Sequence, residues 1–188
     1  MSIPDLRTSR LILRPWTLED ARALFSILHE EDILQYFPNP APLPLDKVQN
    51  YISHQLRHWQ EHGYGHWAVT LREKDEVLGW CGLEYLPELN ETEVAYLLSK
   101  NTWGKGFATE AARAALRFGF NNTGLEAIIG LVHPENRASI RVLEKCGLTL
   151  ASRITLWGLE MCRYRIERTD HYIHVANSLG NLESFLGG

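Results

Sequence analysis

Asn101-Thr102-Trp103-Gly104-Lys105-Gly106-Phe107-Ala108-Thr109-Glu110 is the stretch of sequence that decides the fold. The apolar run before it, residues 93–98, is typical of a β-strand, and residues 110–120 have the apolar spacing of a helix. A short glycine loop between a strand and a helix directs several backbone N–H groups at one point. Gly104 and Gly106 let a ligand approach that backbone closely. The stretch therefore predicts a site for a phosphate anion.

Patterns on either side place this loop in a single α+β domain. Upstream, they predict a strand, a helix that Thr17 caps, a stiff proline-rich loop, a helix that Asp46 caps, and a hairpin, at residues 10–14, 18–30, 38–44, 46–62 and 66–85. Downstream, they predict a buried strand, a helix that Asn136 caps, and two further strands, at residues 125–132, 136–146, 148–154 and 161–167. One βαβ step joins residues 93–99 to residues 125–132.

Length and composition exclude several classes of protein. The 188 residues suit one domain, and a formal net charge of -4 gives no basic footprint of a nucleic-acid binder. No apolar run approaches the roughly 20 residues of a membrane span, and the first residues lack a secretory signal, so we expect a cytoplasmic protein. Three widely spaced cysteines (Cys81, Cys146 and Cys162) predict buried, reduced thiols.

A second block narrows the interpretation of the glycine loop, which alone is a weak signal. It runs Asn136-Arg137-Ala138-Ser139-Ile140-Arg141-Val142-Leu143-Glu144-Lys145-Cys146-Gly147. In this order, the two blocks resemble the GNAT (GCN5-related N-acetyltransferase) superfamily. The opening Leu6-Arg7-Thr8-Ser9-Arg10-Leu11-Ile12-Leu13-Arg14 and the Asn-x-x-Ser-x-x-x-Leu-Glu-Lys-x-Gly helix are similar to its RimJ/RimL branch. The resemblance covers residues 6–168 and leaves residues 169–188 as a tail.

The resemblance implies an α+β fold with a mixed, mostly antiparallel sheet of about seven strands and about four flanking helices. In this fold the sheet is splayed between its fourth and fifth strands, which match residues 93–99 and 125–132. The fold also implies acetyl-CoA as cosubstrate and no metal. The pyrophosphate of acetyl-CoA would lie on the glycine loop, at Trp103, Gly104, Lys105, Gly106, Phe107, Ala108 and Thr109. Asn101 departs from the first position of the family's loop motif.

The pantetheine arm of acetyl-CoA would lie in the splay. Backbone N–H groups near Leu97 and Leu98 would then polarise the thioester carbonyl. Asn136 has two roles open to it, as helix N-cap and as a contact of pantetheine or acceptor.

Two side chains are implied as catalytic. Glu93 matches the acidic position of relatives beside the splay and would be the general base; Glu91 is the alternative if the register is shifted. Many relatives place a tyrosine on the later helix to protonate the leaving thiolate, and here that position is Leu143. Ser139, one turn earlier, is the group that the RimJ/RimL branch would use instead.

The acceptor stays open at this point. Its alternatives are a protein N-terminal α-amine and a small amine, and a non-catalytic acyl-CoA-binding module is a third hypothesis. Neither a nucleic acid nor a membrane is expected as partner, and the protein is expected as a monomer or homodimer. The acceptor would lie near the first two helices and the last strands, where Tyr36, Phe37, Asn39, Trp80 and Tyr85 are candidate lining residues.

Two further patterns receive structural interpretations. His54, His58 and His62 recur at a spacing that can bind zinc, but no further ligand accompanies them, and we predict a solvated or groove-lining stripe off the core face. The tail carries Leu179, Leu182, Phe185 and Leu186 at helical spacing. It could dock weakly on the domain or on a partner, and we predict a frayed terminus in preference.

Overall fold

A computed structural model describes residues 2–186, and for residues 178–186 it describes the backbone alone. The described part contains eight strands: β1 (Leu6–Arg7), β2 (Leu11–Arg14), β3 (His66–Leu71), β4 (Lys74–Leu86), β5 (Glu91–Leu98), β6 (Ala127–Val132), β7 (Thr149–Leu156) and β8 (Leu159–Glu167). It also contains five α-helices: α1 (Ala21–Leu28), α2 (Leu45–His62), α3 (Phe107–Asn122), α4 (Arg137–Lys145) and α5 (Arg168–Leu186).

The strands form one sheet in the order β1-β2-β3-β4-β5-β6-β8-β7. Every neighbouring pair is antiparallel except β5 and β6, which α3 connects as a parallel crossover. The predicted α+β architecture is confirmed, with one strand and one helix more than expected. Because Leu6–Arg7 pairs with β2, the fourth and fifth strands of the sequence interpretation become β5 and β6.

The sheet is splayed between β5 and β6. The described residues of these strands pair at a single position, Glu93 opposite Ile129. Beyond it, the backbone N–H of Leu131 donates to the Glu93 carboxylate at 2.9 Å rather than to a neighbouring strand. We call this gap between β5 and β6 the seam.

Alternation along β5 sends its side chains to two separate hydrophobic cores. Val94 and Leu98 belong to the core beneath α3 and α4, where Ala111, Ala115 and Leu143 are also buried. Leu97 belongs to the core beneath α1 and α2, and Ala95 packs against it. The seam therefore opens between two differently covered faces of the sheet, the α1/α2 face and the α3/α4 face.

Two predicted caps behave differently in the structure. Thr17 precedes a short 3-10 helix, Leu18–Asp20, and the Asp20 carboxylate accepts from the Thr17 N–H at 2.8 Å. The prediction that Asp46 caps α2 was wrong: Pro44 occupies the N-cap position, and its carbonyl accepts from the N–H groups of Lys47 and Val48. Proline suits the start of a helix because the first N–H groups have no intrahelical partner.

The tail forms helix α5, and its first turns pack on the domain rather than fraying. His171 is buried against the ring of Phe120, with 4.9 Å between ring centroids, and the Tyr172 hydroxyl donates to Asn121 at 2.8 Å. The side chains of Leu179, Leu182, Phe185 and Leu186 lie outside the described residues. No helix within the described part of the chain is long and apolar enough to cross a membrane.

Candidate active site

The glycine loop has the backbone conformation that an anion cradle needs. Gly104 and Gly106 adopt φ angles of 75° and 80°, in the left-handed region that favours glycine. Gly106 is the N-cap of α3, and its carbonyl accepts the N–H of Glu110. The N–H groups of Phe107, Ala108 and Thr109 begin the helix and have no intrahelical partner. A Cβ on Gly104 would meet nothing within 4 Å, so the loop borders open space.

The residues around this loop fix its position. The Trp103 indole donates to the carbonyl of Leu98 at 2.7 Å while 49% of the residue stays exposed. The Arg10 guanidinium donates to the carbonyl of Lys105 at 2.9 Å and lies 4.5 Å from the centroid of the Phe107 ring. The side chain of Lys105 is exposed. Thus the loop is tied to β5 on one side and to the N-terminal segment on the other.

Glu110 makes a junction that the sequence interpretation missed. Its carboxylate accepts from the Thr8 hydroxyl at 2.6 Å, the Ser9 hydroxyl at 2.9 Å and the backbone N–H of Arg10 at 2.9 Å. It also forms an ion pair with the Arg10 guanidinium at 2.6 Å. Hydroxyl and basic residues at 8–10, together with a carboxylate in the first turn of α3, were a signal that could have revealed it.

Glu93 lies at the seam, on the α1/α2 face. Its side chain keeps some contact with solvent, yet the atoms packed around the carboxyl withdraw it from water. This burial raises the pKa of Glu93 to about 8, although the hydrogen bond from the Leu131 N–H opposes the rise and the neighbouring Glu84 carboxylate adds to it. A carboxyl with such a pKa can take up a proton near neutral pH.

Glu91, the alternative base, has the opposite electrostatic environment. Its carboxylate forms ion pairs with the guanidinium groups of Arg163 and Arg165. The hydrogen bond from Arg163 lowers the pKa of Glu91, because the cation favours the ionised form. A carboxylate held in this way is a weak proton acceptor, and this environment favours Glu93 over Glu91.

Ser139 begins α4 on the other side of the seam, and there it meets a residue that the sequence interpretation missed. The Ser139 hydroxyl donates to the Tyr96 hydroxyl at 3.2 Å, and the Tyr96 hydroxyl donates to the Ser139 carbonyl at 3.1 Å. Burial raises the pKa of Tyr96, so its phenol keeps its proton. Leu143, where relatives place a tyrosine, is buried and faces Gly130. A phenol therefore reaches α4 from β5 instead.

Asn136 has a confirmed structural role. Its side-chain oxygen accepts the N–H of Ser139 at 3.1 Å, which makes it the N-cap of α4 and fixes the first turn that carries Ser139.

The two backbone candidates on β5 differ in direction. The Ser99 N–H donates to the Leu78 carbonyl on β4 at 2.8 Å. Because N–H directions alternate along an antiparallel strand, the N–H of Leu97 is directed at β4 and the N–H of Leu98 is directed at the seam. Of the two, Leu98 is the donor available to a group lying in the gap.

Together these residues place different chemical groups on the two sides of the seam. Glu93, a carboxyl able to accept a proton, is on the α1/α2 face, and the Tyr96–Ser139 pair of hydroxyl groups is on the α3/α4 face. The Leu98 N–H points between them. The arrangement can bind an anion on the loop, hold a chain in the seam, and exchange protons at both sides of a reacting group.

The histidine stripe is divided between core and surface. His58 is buried: its Nδ1 is 2.8 Å from the Tyr64 carbonyl, and its Nε2 accepts the N–H of Tyr85 at 3.1 Å. Placing His58 off the core face was therefore wrong, because these two backbone groups lie beneath α2 and satisfy both ring nitrogens. His54 is half exposed. Among the described residues, no group of three or more His, Cys, Asp or Glu could hold a metal ion.

The candidate acceptor-lining residues do not form one group. Tyr36 stacks on His133 beside the end of β6, with 5.3 Å between centroids, and Trp80 stacks on the buried His66 at 4.4 Å. The Tyr85 hydroxyl donates to Asn90, while Phe37 is exposed and Asn39 caps a local turn.

The three cysteines are buried, and none of them forms a disulfide bond.

Comparisons with known proteins agree with this geometry. The family profile described as acetyltransferase (GNAT) domain matches residues 10–149. The uncharacterized N-acetyltransferase p20 of Bacillus licheniformis is 32% identical over 139 residues, which are 73% of this chain and 78% of that protein. A crystal structure of an acetyltransferase from Agrobacterium tumefaciens is 30% identical with a TM-score of 0.78, and the match covers 89% of this chain and 96% of that one.

A more distant solved structure shares the fold. It is RimL, named as a ribosomal L7/L12 alpha-N-protein acetyltransferase in complex with coenzyme A. It has a TM-score of 0.75 at 15% identity, and the match covers 87% of this chain and 98% of that one.

Proposed function

Because this chain belongs to the GNAT family of acetyltransferases, we propose that it transfers an acetyl group from acetyl-CoA to a primary amine, and that the acceptor is a protein N-terminal α-amine. The observation that carries this proposal is the position of the Glu93 carboxyl at the seam, where it accepts the Leu131 N–H at 2.9 Å and where burial raises its pKa to about 8. The geometry of the loop, the seam and the Tyr96–Ser139 pair supports each part of the reaction.

The donor side fits a coenzyme A thioester. Positive φ angles at Gly104 and Gly106, the open space at Gly104 and the unpaired N–H groups of residues 107–109 suit a pyrophosphate. The seam offers unpaired strand edges to the pantetheine arm, and the Leu98 N–H is a donor for the thioester carbonyl. When bound, acetyl-CoA supplies the acetyl group in an activated form.

The base and the acceptor are matched in acidity. An amine must be neutral to attack, and an α-amine with a pKa near 8 is neutral far more often at pH 7 than a lysine near 10.4. Glu93, with a pKa of about 8, exchanges a proton with such an amine at little free-energy difference. This match favours an N-terminal α-amine over a lysine side chain.

The thiolate that leaves acetyl-CoA would lie on the α3/α4 face of the sheet. Ser139 Oγ could donate a hydrogen bond to the thiolate when its single proton turns away from the Tyr96 hydroxyl, and the phenol, 3.2 Å away, would then donate to Ser139 Oγ and keep it in place. The phenol of Tyr96 thereby occupies a role that relatives give to a tyrosine on α4. This pair argues against the non-catalytic acyl-CoA-binding module, whose sole support was Leu143.

The RimJ/RimL-like assignment within the family rests on sequence and fold together. The Asn136 cap and Ser139 stand in the positions of that branch, and the RimL structure has the same fold. A protein N-terminus is the acceptor named for RimL, which supports the same acceptor class here. A small-molecule amine is the alternative.

The test is a panel of N-terminal peptides and small amines scored for release of free thiol from acetyl-CoA. We expect release with peptides, abolished or strongly reduced in Glu93→Gln, while both proteins bind acetyl-CoA equally in calorimetry. Release with small amines alone would favour the alternative acceptor. Tight acetyl-CoA binding with no release from any amine would contradict the enzyme assignment.

A further inference from the structure

Arg10 lies in the turn between β1 and β2, and its side chain reaches Lys105 of the glycine loop, 95 residues further along the chain. Both backbone groups of Arg10 are paired: its N–H donates to Glu110 at 2.9 Å, and its carbonyl accepts the N–H of Arg72 at 3.0 Å. Its side chain donates through Nε to Glu110 at 2.7 Å and covers the ring of Phe107. The guanidinium is therefore held in one orientation, although 48% of the side chain is exposed.

The peptide group that joins Lys105 to Gly106 has little steric restraint of its own. Gly104 and Gly106 flank Lys105, and both have positive φ angles and no Cβ. A peptide group beside such residues can turn over at little steric cost. In one orientation it directs its N–H at a bound anion, and in the opposite one it directs its carbonyl oxygen there and repels the anion. The affinity of the loop for a phosphate therefore depends on what fixes this peptide group.

Arg10 fixes this peptide group in a single orientation. Its Nη1 donates to the Lys105 carbonyl at 2.9 Å, so the carbonyl oxygen is directed at the N-terminal segment. The C=O and N–H bonds of a trans peptide have opposite directions, so the N–H of Gly106 is directed away from Arg10. Among the described residues, no group accepts this N–H. It adjoins the N–H groups of residues 107–109, which have no intrahelical partner, so the row of donors begins at Gly106.

The guanidinium of Arg10 affects the loop through this orientation more than through its charge. The Glu110 carboxylate lies 2.6 Å from Nη2 and offsets the positive charge beside the loop. The planar guanidinium binds Glu110 through Nε and Nη2 while Nη1 binds Lys105. A lysine ammonium has the same charge but lacks this rigid fork, so it cannot hold both groups in the same geometry. Arg10→Lys therefore separates orientation from charge.

We propose that Arg10 is a positioning residue of the cosubstrate site: by holding the Lys105 carbonyl, it keeps the Gly106 N–H directed at the pyrophosphate of coenzyme A. The inference rests on the proposed acetyl-CoA-dependent function. Only a donor that carries phosphate on the loop gains from this orientation, since the pantetheine arm lies in the seam. Arg10 thereby makes the enzyme selective for coenzyme A thioesters over pantetheine thioesters, which have no pyrophosphate.

Calorimetry with coenzyme A tests this role without an acceptor. We expect Arg10→Lys and Arg10→Gln each to raise the Kd for coenzyme A at least about tenfold, because both lose a hydrogen bond from Gly106 to a charged phosphate. Arg72→Gln is the matched control: the Arg72 guanidinium donates to the Thr8 carbonyl of the same turn at 3.3 Å, and its removal should leave the Kd within about twofold. An Arg10→Lys variant with the wild-type Kd would overturn the proposal, because charge alone would then suffice.

A pair of thioester donors distinguishes a positioning role from a general loss of structure. Acetyl-CoA and S-acetylpantetheine carry the same reacting group, and S-acetylpantetheine has no phosphate. We expect kcat/KM for acetyl-CoA to fall at least about tenfold in Arg10→Lys, while kcat/KM for S-acetylpantetheine stays within about twofold of the wild type. Equal losses with both donors would indicate a structural defect and would overturn the positioning role.

Backbone amide spectra with inorganic pyrophosphate test the orientation itself. In the wild type, pyrophosphate should shift the amide resonances of Gly106 and Thr109. In Arg10→Lys, the Gly106 shift should be lost and the Thr109 shift should remain, and a Gly106 shift of wild-type size would overturn the proposal. The proposed function fails separately: coenzyme A binding that depends on Arg10, without thiol release from any amine, would overturn the acetyltransferase assignment and leave the role of Arg10 intact.

Discussion

Glu93 illustrates how one side chain can serve both the fold and the chemistry. Its carboxylate accepts the N–H of Leu131, a group that the splay of β5 and β6 leaves without a strand partner. The same position withdraws the carboxyl from water and raises its pKa to about 8. The hydrogen bond to Leu131 and the raised pKa, on which the proposed role of Glu93 as base rests, therefore both result from the seam.

The raised pKa of Glu93 leads to a prediction about the pH dependence of the reaction rate. With Glu93 as the proposed base, both the amine and Glu93 would lose a proton before attack, so log kcat/KM for an α-amine acceptor should rise with a slope of about 2 per pH unit well below pH 8. Glu93→Gln should lower the rate about 100-fold or more and reduce the slope to about 1, since only the amine then titrates. Initial rates of thiol release between pH 5.5 and 9 would show this. An unchanged slope in the variant would exclude Glu93 as the base.

Tyr96 is the second residue whose role can be isolated. Tyr96→Phe removes the oxygen that accepts the Ser139 hydroxyl, so Ser139 loses its fixed orientation. We expect kcat to fall about 10-fold or more while the Kd for acetyl-CoA stays within about twofold, because the phenol acts on the departing group. Tyr172→Phe, which removes a hydroxyl bonded to Asn121, is the control. A Tyr96→Phe enzyme with unchanged kcat would remove Tyr96 from the mechanism.

At the scale of elements, the glycine loop can be tested against another glycine of the same conformation. Gly104 and Gly124 both have φ of +75° and open space where a Cβ would be, so alanine should destabilise the fold equally at each, by about 1–2 kcal/mol. Only Gly104→Ala adds a methyl group to the loop that begins α3. We expect its Kd for coenzyme A to rise at least about tenfold, measured by calorimetry, with little change in Gly124→Ala. Equal Kd values for the two variants would contradict binding of the pyrophosphate at the glycine loop.

The same scale explains what the sequence could predict. The glycine loop, the Asn136 cap and the alternation of β5 are local patterns, so a few neighbouring residues determine them. The Tyr96–Ser139 bond and the bond from the His66 N–H to Gln55 join residues that are distant along the chain. Their contacts depend on strand register and on how α2 and α4 pack, which local periodicity does not contain. His58 was misplaced for this reason: its partners are backbone groups of β4 and of the turn after α2.

At the scale of the whole molecule, buried neutral histidines should contribute to the pH dependence of stability in mild acid. Burial lowers the pKa of His58, His66 and His171 below the ordinary 6.5. Each therefore binds a proton more readily when the chain unfolds, so stability present above pH 6.5 is lost as pH falls. The loss can reach about 1.4 kcal/mol per pH unit for each histidine.

Urea unfolding between pH 7 and 5 measures this effect. The raised pKa of Glu93 acts in the opposite direction, because over this range the folded protein holds a proton that the unfolded chain releases, so the test compares variants. We expect His171→Leu to reduce the dependence of the free energy of unfolding on pH by up to about 1.4 kcal/mol per pH unit. Gln60→Leu, which replaces an exposed neutral side chain on α2, should leave the slope unchanged. A His171→Leu variant with the same pH dependence as the wild type would contradict the neutral, buried state of the His171 ring.

The seam also affects how readily the protein would aggregate when no cosubstrate is bound. Strand edges usually occur at the border of a sheet, where they invite pairing with other chains, and proteins protect them with charge, bulges or cover. Here two such edges face each other inside the sheet, bridged by one residue pair and one carboxylate. A ligand chain lying between them would act as a removable strand. When coenzyme A is scarce, in a cell or during purification, these edges would be free to pair with strands of other proteins. Bound cosubstrate would therefore also protect the protein against aggregation.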